Sequence, residues 1–504
     1  MSDDQSNDSG KGDASFAAEH SGGLGKRTAR GILWTAFSGL LGRGAGFAST
    51  AVLTYLMGQE QYGLATTALA VVFSVPTLFS IQLRPELVRR RQRFADAAML
   101  NLIYGSLLLL IPTTLCLVYI DPLLAWFNAS DAKSYLQLAL LLPLIDRLLH
   151  TGHVLLSRNL RFGVIGSLEL ASTASHITTA LSMAYAGFGG LAVVCGRMAR
   201  VVVSGVGANI ASGLKWLKSP PLADGALIRE LLAFGVPLTV VFLVESFTAQ
   251  GDNLFVAKMF GSQALGVYAV AYTVAYTPVN TVTERIGSGL FSAVARFADD
   301  VPRRHSALHR SLSAGALMII PVAAGIALCG PALVHVVFPN RWSDELAAVI
   351  SGLGLMGAGI VVHDLADQYL LAVGRPLALL ISRSLRLALL AAALLLLGRS
   401  SLVRCAWSVS AAFIAGGAVS LLMLAAFDRL ALGRLIAQIM PALLGTALMA
   451  AAVLGLRRLV VFAQPWQSLL VEATCGALIY GLYAFVFHRQ RLLDILNTLR
   501  GKSS

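Results

Sequence analysis

Tyr55 to Val71 reads YLMGQEQYGLATTALAV, and Lys258 to Val274 reads KMFGSQALGVYAVAYTV. Setting Gly58 on Gly261 also sets Gly63 on Gly266, Ala68 on Ala271 and Val71 on Val274, an offset of 203 residues. Each segment closes one apolar run, turns tightly and opens the next. Four identities in seventeen positions carry little alone; their place at the same kind of corner carries the argument. Six apolar runs separate the two copies. An even number preserves orientation, so the repeat predicts two parallel six-helix halves related by an axis along the membrane normal.

Working outward from these corners, apolar runs of membrane-spanning length fill the chain from Gly31 onward. They fall at 31–57, 63–83, 96–119, 134–156, 164–186, 189–210, 227–256, 263–283, 310–330, 345–371, 377–397, 403–427, 435–456 and 467–488. A span needs about 20 apolar residues, and lipid offers the backbone no hydrogen bonds, so each run reads as a helix. Runs such as Leu107 to Ile111 lack the alternation of a barrel strand. The expected fold is an all-α polytopic membrane protein of about 14 transmembrane helices: two parallel six-helix lobes plus two C-terminal helices. Residues 1–29 read as a disordered cytoplasmic tail and 30–218 as the N-terminal lobe. A C-terminal lobe follows at 219–430, then spans 13 and 14 at 431–490 and a cytoplasmic tail at 491–504.

Composition agrees. Of 504 residues, 56% are apolar and 13% charged, with a mean hydropathy of +0.73. Soluble domains carry about 25% charged residues. The net charge of +13 is unevenly placed. Connectors on one side, with both termini, hold 25 Lys and Arg, and those on the other hold 7. The positive-inside rule then puts both ends in the cytoplasm and makes the span count even. The cluster Arg84, Arg89, Arg90, Arg91 and Arg93 serves topology or meets lipid headgroups; charges on such short connectors are poorly placed for nucleic acid.

Enzymatic readings find no support. The connectors are too short for an extramembrane catalytic domain, and no phosphate-binding loop or nucleophile elbow occurs. Cys116, Cys195, Cys329, Cys405 and Cys475 are scattered through apolar runs and frame neither a zinc site nor a disulfide set. No cofactor is expected.

The stretch Leu231 to Phe297 contains LLAFGVPL, then GDNLFVAKMFGSQALGVYAVAYTV, then PVNTVTERIGSGLFSAVARF. With MGQEQYGLATTALAV at the first corner, SRNLRF at Ser157 to Phe162 and LAVGRP at Leu371 to Pro376, the chain resembles the polysaccharide transport (Wzx-type oligosaccharide flippase) family. That family belongs to the multidrug/oligosaccharidyl-lipid/polysaccharide exporter superfamily. The resemblance implies two lobes around an aqueous cavity, and alternating access that turns a polyprenyl-pyrophosphate-linked oligosaccharide from the cytoplasmic to the outer leaflet. It also implies a bacterial inner membrane and surface polysaccharides, lipopolysaccharide or exopolysaccharide, as products. A polymerase and a chain-length regulator are the protein partners such a step would meet. The alternative on the same fold is a cation-coupled multidrug exporter.

The charged residues inside spans are the candidate working groups. A mid-membrane arginine costs about 2.5–3.5 kcal/mol on insertion scales and needs a partner, a wet cavity or a route to the interface. Arg43, Arg147, Arg197, Arg200 and Arg386 are the candidate substrate-binding residues, because guanidinium stays charged and matches phosphate bidentately. Arg43 sits in LGRGAG, where glycines leave room beside it. Arg383 and Arg285 lie nearer the cytoplasmic ends and are expected to snorkel. Asp146, Glu245, Asp252, Asp364 and Asp367 are the candidate ion-coupling carboxylates, for H⁺ or Na⁺. Asp252 matches the family's span-7 aspartate. Asp146, His150 and His153 form a stripe, Glu245 and Asp252 share a face, and His363 pairs by spacing with Asp367.

Overall fold

A computed structural model describes residues 9–74, 83, 87, 93–213, 225–297, 299–338, 344–460 and 462–499. No strand occurs among them. The helices are α1 (Ser9–Ser74), α2 (Phe94–Val118), α3 (Ile120–Trp126), α4 (Lys133–Ala139), α5 (Leu141–Leu149), α6 (Thr151–Arg158), α7 (Phe162–Tyr185) and α8 (Leu191–Ser212). They continue as α9 (Gly225–Arg296), α10 (Val301–Val337), α11 (Asp344–Gly354), α12 (Met356–Ala372), α13 (Pro376–Leu396), α14 (Leu402–Asp428), α15 (Leu432–Leu459) and α16 (Pro465–Leu499). Helix α1 begins inside the 1–29 segment expected to be a disordered tail; no proline interrupts the chain there. Arg84, Arg89, Arg90 and Arg91 of the basic cluster lie outside the described residues.

Nine helices among the described residues are long and apolar enough to cross a membrane, or ten if a bent pair counts as one span. The expected fourteen ranges are more numerous: spans 1 and 2, within α1, are not among the nine, and three further differences have identifiable reasons. Thr239–Arg296 counts once, although Gly261 divides it. Helix α7, which carries Glu169, His176 and a series of Ser and Thr residues, is not among the nine. The bent pair is span 4: Ser130–Leu149 and Thr151–Arg158 meet at 42°. Asn209 of α8 donates its side-chain amide to the Leu149 carbonyl at 2.7 Å, supplying a partner at the break. Gly152 lies so close to the Ala208–Asn209 backbone that a side chain would collide with it.

The two corners are alike in detail. Gly58 (φ 79°, ψ 173°) divides α1 and Gly261 (φ 82°, ψ 176°) divides α9. This region of backbone space is open essentially to glycine alone. The following glycines meet each other's corner: a Cβ on Gly63 would run into the Ser262 carbonyl, and one on Gly266 into the Gln59 carbonyl. Shifting Gln59 and Gly63 by 203 residues gives Ser262 and Gly266, so the contact is its own counterpart under the repeat.

Packing groups the chain into two units. The first comprises Met1–Ser49, Phe79–Val118 and Gln137–Thr239. The second comprises Thr50–Leu78, Tyr119–Leu136 and Val240–Ser504. The first corner therefore belongs to the unit that holds the second corner, because of the glycine contact between them. Within the first unit, Leu83, Leu87, Ala97, Leu100, Val154 and Leu231 form a buried apolar cluster. Within the second, α12 and α14 approach so closely that a Cβ on Gly359 would strike the Phe413 backbone. Leu107, Leu396, Leu444 and Leu478 stand exposed, as lipid-facing side chains do.

Candidate functional site

Helix α12 buries Asp367, whose side chain is 6% exposed. The chain then turns at Gly374 (φ 75°), and Pro376 opens α13 in the first-turn position that needs no amide donor. This hairpin brings Arg383 and Arg386, one turn apart on one face of α13, against Asp367. Arg386 donates Nη1 to Oδ1 at 3.1 Å and Nη2 to Oδ2 at 2.7 Å, a two-pronged match. Arg383 donates Nε to the same Oδ2 at 3.0 Å and Nη1 to Oε2 of Glu245, on α9, at 2.7 Å. Three expected site residues, Glu245, Asp367 and Arg386, thus converge, with Arg383 as the link. Two guanidiniums face two carboxylates, so the cluster is balanced. Its acid members differ: the Glu245 side chain is 52% exposed.

The pairing of His363 with Asp367 expected from spacing does not form. His363 Nδ1 lies 3.0 Å from Asp364 Oδ1, and its ring lies against Phe413. Asp367 faces α13 instead, where two full charges outcompete an imidazole. Glu245 and Asp252 also have separate surroundings. Asp252 is buried across the Gly261 corner, where Tyr268 donates its hydroxyl at 2.7 Å and the Asn253 backbone amide donates at 2.8 Å. Tyr268, Tyr272 and Tyr276 follow one another along the helix, with ring centroids 6.2 and 5.3 Å apart.

In the first unit, Arg147 donates to the Asn101 carbonyl at 3.0 Å and to Asn101 Oδ1 at 2.6 Å. Its guanidinium occupies the space that a side chain at Gly105 would need. Arg200 pairs with Glu169, both about two-fifths exposed. Arg43, Arg197 and Asp146 are engaged as well. Beside Arg43, no atom of another described segment lies within 4 Å of where a Cβ of Gly44 or Gly46 would stand, so room exists there among the described residues; Gly42 instead abuts Thr173. In the Asp146 stripe, His153 shares a 2.9 Å hydrogen bond with Ser204. Among the described residues, no group of three or more His, Cys, Asp or Glu side chains is placed to hold a metal ion.

The family described as polysaccharide biosynthesis protein matches residues 52–347, which include both glycine corners, Glu245 and Asp252. The chain belongs to this family. The match bears out the resemblance carried by LLAFGVPL and the corner motifs. Among the relatives of this family member is the lipopolysaccharide biosynthesis protein WzxC of Escherichia coli (strain K12). It is 22% identical over 355 residues, covering 70% of this chain and 71% of WzxC. A structure of the lipid II flippase MurJ in an inward closed conformation superposes with a TM-score of 0.70 at 13% identity, over 92% of this chain and all of MurJ. An inward-facing multidrug resistance transporter of the MATE family superposes with a TM-score of 0.54 at 16% identity, over 80% of this chain and 95% of that one. These two likenesses show a shared polytopic all-helical fold. The chain is a multi-pass membrane protein.

Two groups escape sequence reading. Arg383, expected to snorkel, is the hub of the balanced cluster. Asp428, at the end of α14, is buried and accepts from Arg304 at 2.5 Å and from Tyr369, with His305 Nε2 at 2.7 Å. Its partners come from two other helices, so no local spacing announces them. For Arg383 the signal exists: it lies one turn from Arg386, and two cations on one buried face require two anions.

Proposed function

We propose that the chain carries a polyprenyl-pyrophosphate-linked oligosaccharide from the cytoplasmic to the outer leaflet of a bacterial inner membrane, by alternating access, for export of a surface polysaccharide. The observation that carries this reading is the shared guanidinium of Arg383. One of its anchors, Asp367, is buried and fixed; the other, Glu245, is half in solvent. An incoming diphosphate offers the same bidentate acceptor geometry with more charge, so it replaces Glu245 without stranding a cation in the membrane. The family match and the relative WzxC support the same substrate class.

In this reading Arg386 holds Asp367 in place beneath the ligand. Arg43, Arg197 and Arg200 are further substrate contacts, and Arg147, packed into Asn101 and Gly105, braces span 4. Asp252 and Asp364 serve ion coupling by H⁺ or Na⁺, Asp146 is a secondary candidate, and Glu245 and Asp367 act as counter-ions. The excess of basic connectors supports cytoplasmic termini. The multidrug-exporter alternative draws on fold likeness alone, which the family match outweighs.

The test is headgroup translocation of a fluorescent polyprenyl-pyrophosphate glycan in proteoliposomes. Arg383→Gln is expected to lower the initial rate by at least about tenfold, the worth of one lost charge-assisted bond. Glu245→Gln is expected to keep transport and to tighten diphosphate binding. Wild-type rates in Arg383→Gln would sink the reading. Efflux of a cationic dye with no glycan translocation would favour the exporter.

A further inference from the structure

A second charged site lies away from that cluster, where the start of α10 meets the junction of α14 and α15. A cavity of about 790 Å³ is lined there by His305, His309, Arg310, Arg429 and Arg434, with no carboxylate among the described residues of its wall. Two acids nearby are already engaged. Asp428 is occupied by Arg304, His305 and Tyr369, and Asp300 caps α10 while pairing with Arg303 at 3.2 Å. Among the described residues, Arg310, Arg429 and Arg434 meet no carboxylate, and the Nδ1 of His309 is buried without a hydrogen-bond partner. Three guanidiniums around one cavity call for an anionic acceptor.

The second observation is what the cavity opens beside. An apolar cavity of about 690 Å³ shares Ala437 with it and is lined by Ile436, Met440 and Leu444 of α15, with Tyr483 and Phe487 of α16. Residues 433, 436, 437, 440, 441 and 444 form one stripe at helical spacing. From Arg434 to Leu444 the helix rises about 15 Å, at about 1.5 Å per residue. That is about one leaflet of a hydrocarbon core about 30 Å thick. The cationic end and the apolar stripe therefore match the two parts of a single lipid in order and in length.

We propose that the two cavities together bind one anionic glycerophospholipid, its phosphate among Arg310, Arg429 and Arg434 and an acyl chain along the α15 stripe. A zwitterionic phosphatidylcholine brings an ammonium for which the polar cavity has no acceptor carboxylate, so the site selects by headgroup charge.

The experiment uses the full-length chain, delipidated in detergent and titrated with phosphatidylglycerol, phosphatidylcholine or inorganic phosphate. Thermal midpoint and lipid retained in native mass spectrometry are read together. Phosphatidylglycerol is expected to raise the midpoint by mass action and to leave one retained lipid; the other two probes do neither. The double variant Arg310→Gln/Arg434→Gln is expected to weaken that response by at least about tenfold. Ala437→Trp, which plugs the meeting point of the cavities and removes no charge, is expected to do the same. Lipid-free midpoints close to wild type show that each variant is folded, and the wild-type probe series decides independently of both. A wild-type response in both variants overturns the proposal. An equal response to phosphatidylcholine removes the headgroup selection, and an equal response to inorganic phosphate makes the site one for a free anion; either result overturns it too.

Discussion

Asp367 shows what a single side chain must do when two cations are buried beside it. With its side chain 6% exposed and Arg386 at 10%, neither charge has water to fall back on. Asp367→Asn should therefore cost about 3–5 kcal/mol, the usual penalty for breaking a buried pair from one end. The thermal midpoint in detergent checks this, and Asp367→Asn/Arg386→Gln should recover part of the loss, since the double change removes the uncompensated charge. Both residues are visible in the sequence as ionisable groups inside spans. Their pairing is not, because the partner sits on the next helix, while His363 offers a tempting match at helical spacing on the same one. Gly63 makes a second residue-scale case. Gly63→Ala places a methyl against the Ser262 carbonyl and should cost about 1–3 kcal/mol as overpacking. Gly44→Ala, with no atom of another described segment within 4 Å, should leave the midpoint near wild type.

At the scale of elements, the corners and the broken span differ in how plainly they are written. The corners are legible because the chain repeats them: the alignment of Gly58 with Gly261 singles out the two residues that adopt a conformation reserved for glycine. Gly58→Ala and Gly261→Ala should each lower stability by about 1–3 kcal/mol, as a side chain forced into that region does. The break between α5 and α6 is not legible as such. Pro143 and Gly152 stand near it, but the group that makes the break affordable is Asn209, on α8. Asn209→Ala removes the donor to the Leu149 carbonyl and should cost about 1–3 kcal/mol, read as a lowered midpoint in the same assay. The boundary between packed units likewise departs from a division near residue 218, since contacts across the repeat, not chain order, draw Thr50–Leu78 into the second unit.

For the molecule as a whole, the alternating access proposed above would require some contact between repeats to break during each cycle. The meeting of Gly63 with Ser262 and of Gly266 with Gln59 is the tightest candidate, since backbone touches backbone there without a side chain to yield. A bifunctional thiol reagent bridging Gln59→Cys and Ser262→Cys should arrest glycan translocation, and a cleavable version should restore it on reduction. The five native cysteines must first be replaced. Continued transport by the bridged protein would show that these corners stay together throughout. The all-helical membrane fold and the repeat were readable from hydropathy and spacing, because lipid permits few alternatives. The balance of charges was not readable, because it depends on which helix faces meet.

The reciprocal glycine contact also bears on descent. Two identical half-length chains, inserted in the same direction and paired about a twofold, would touch through one patch meeting its own copy. The present chain retains that self-complementary patch with Gln59 on one side and Ser262 on the other. In this respect it resembles a tethered homodimer, with glycines where any bulkier residue on either half would push both apart.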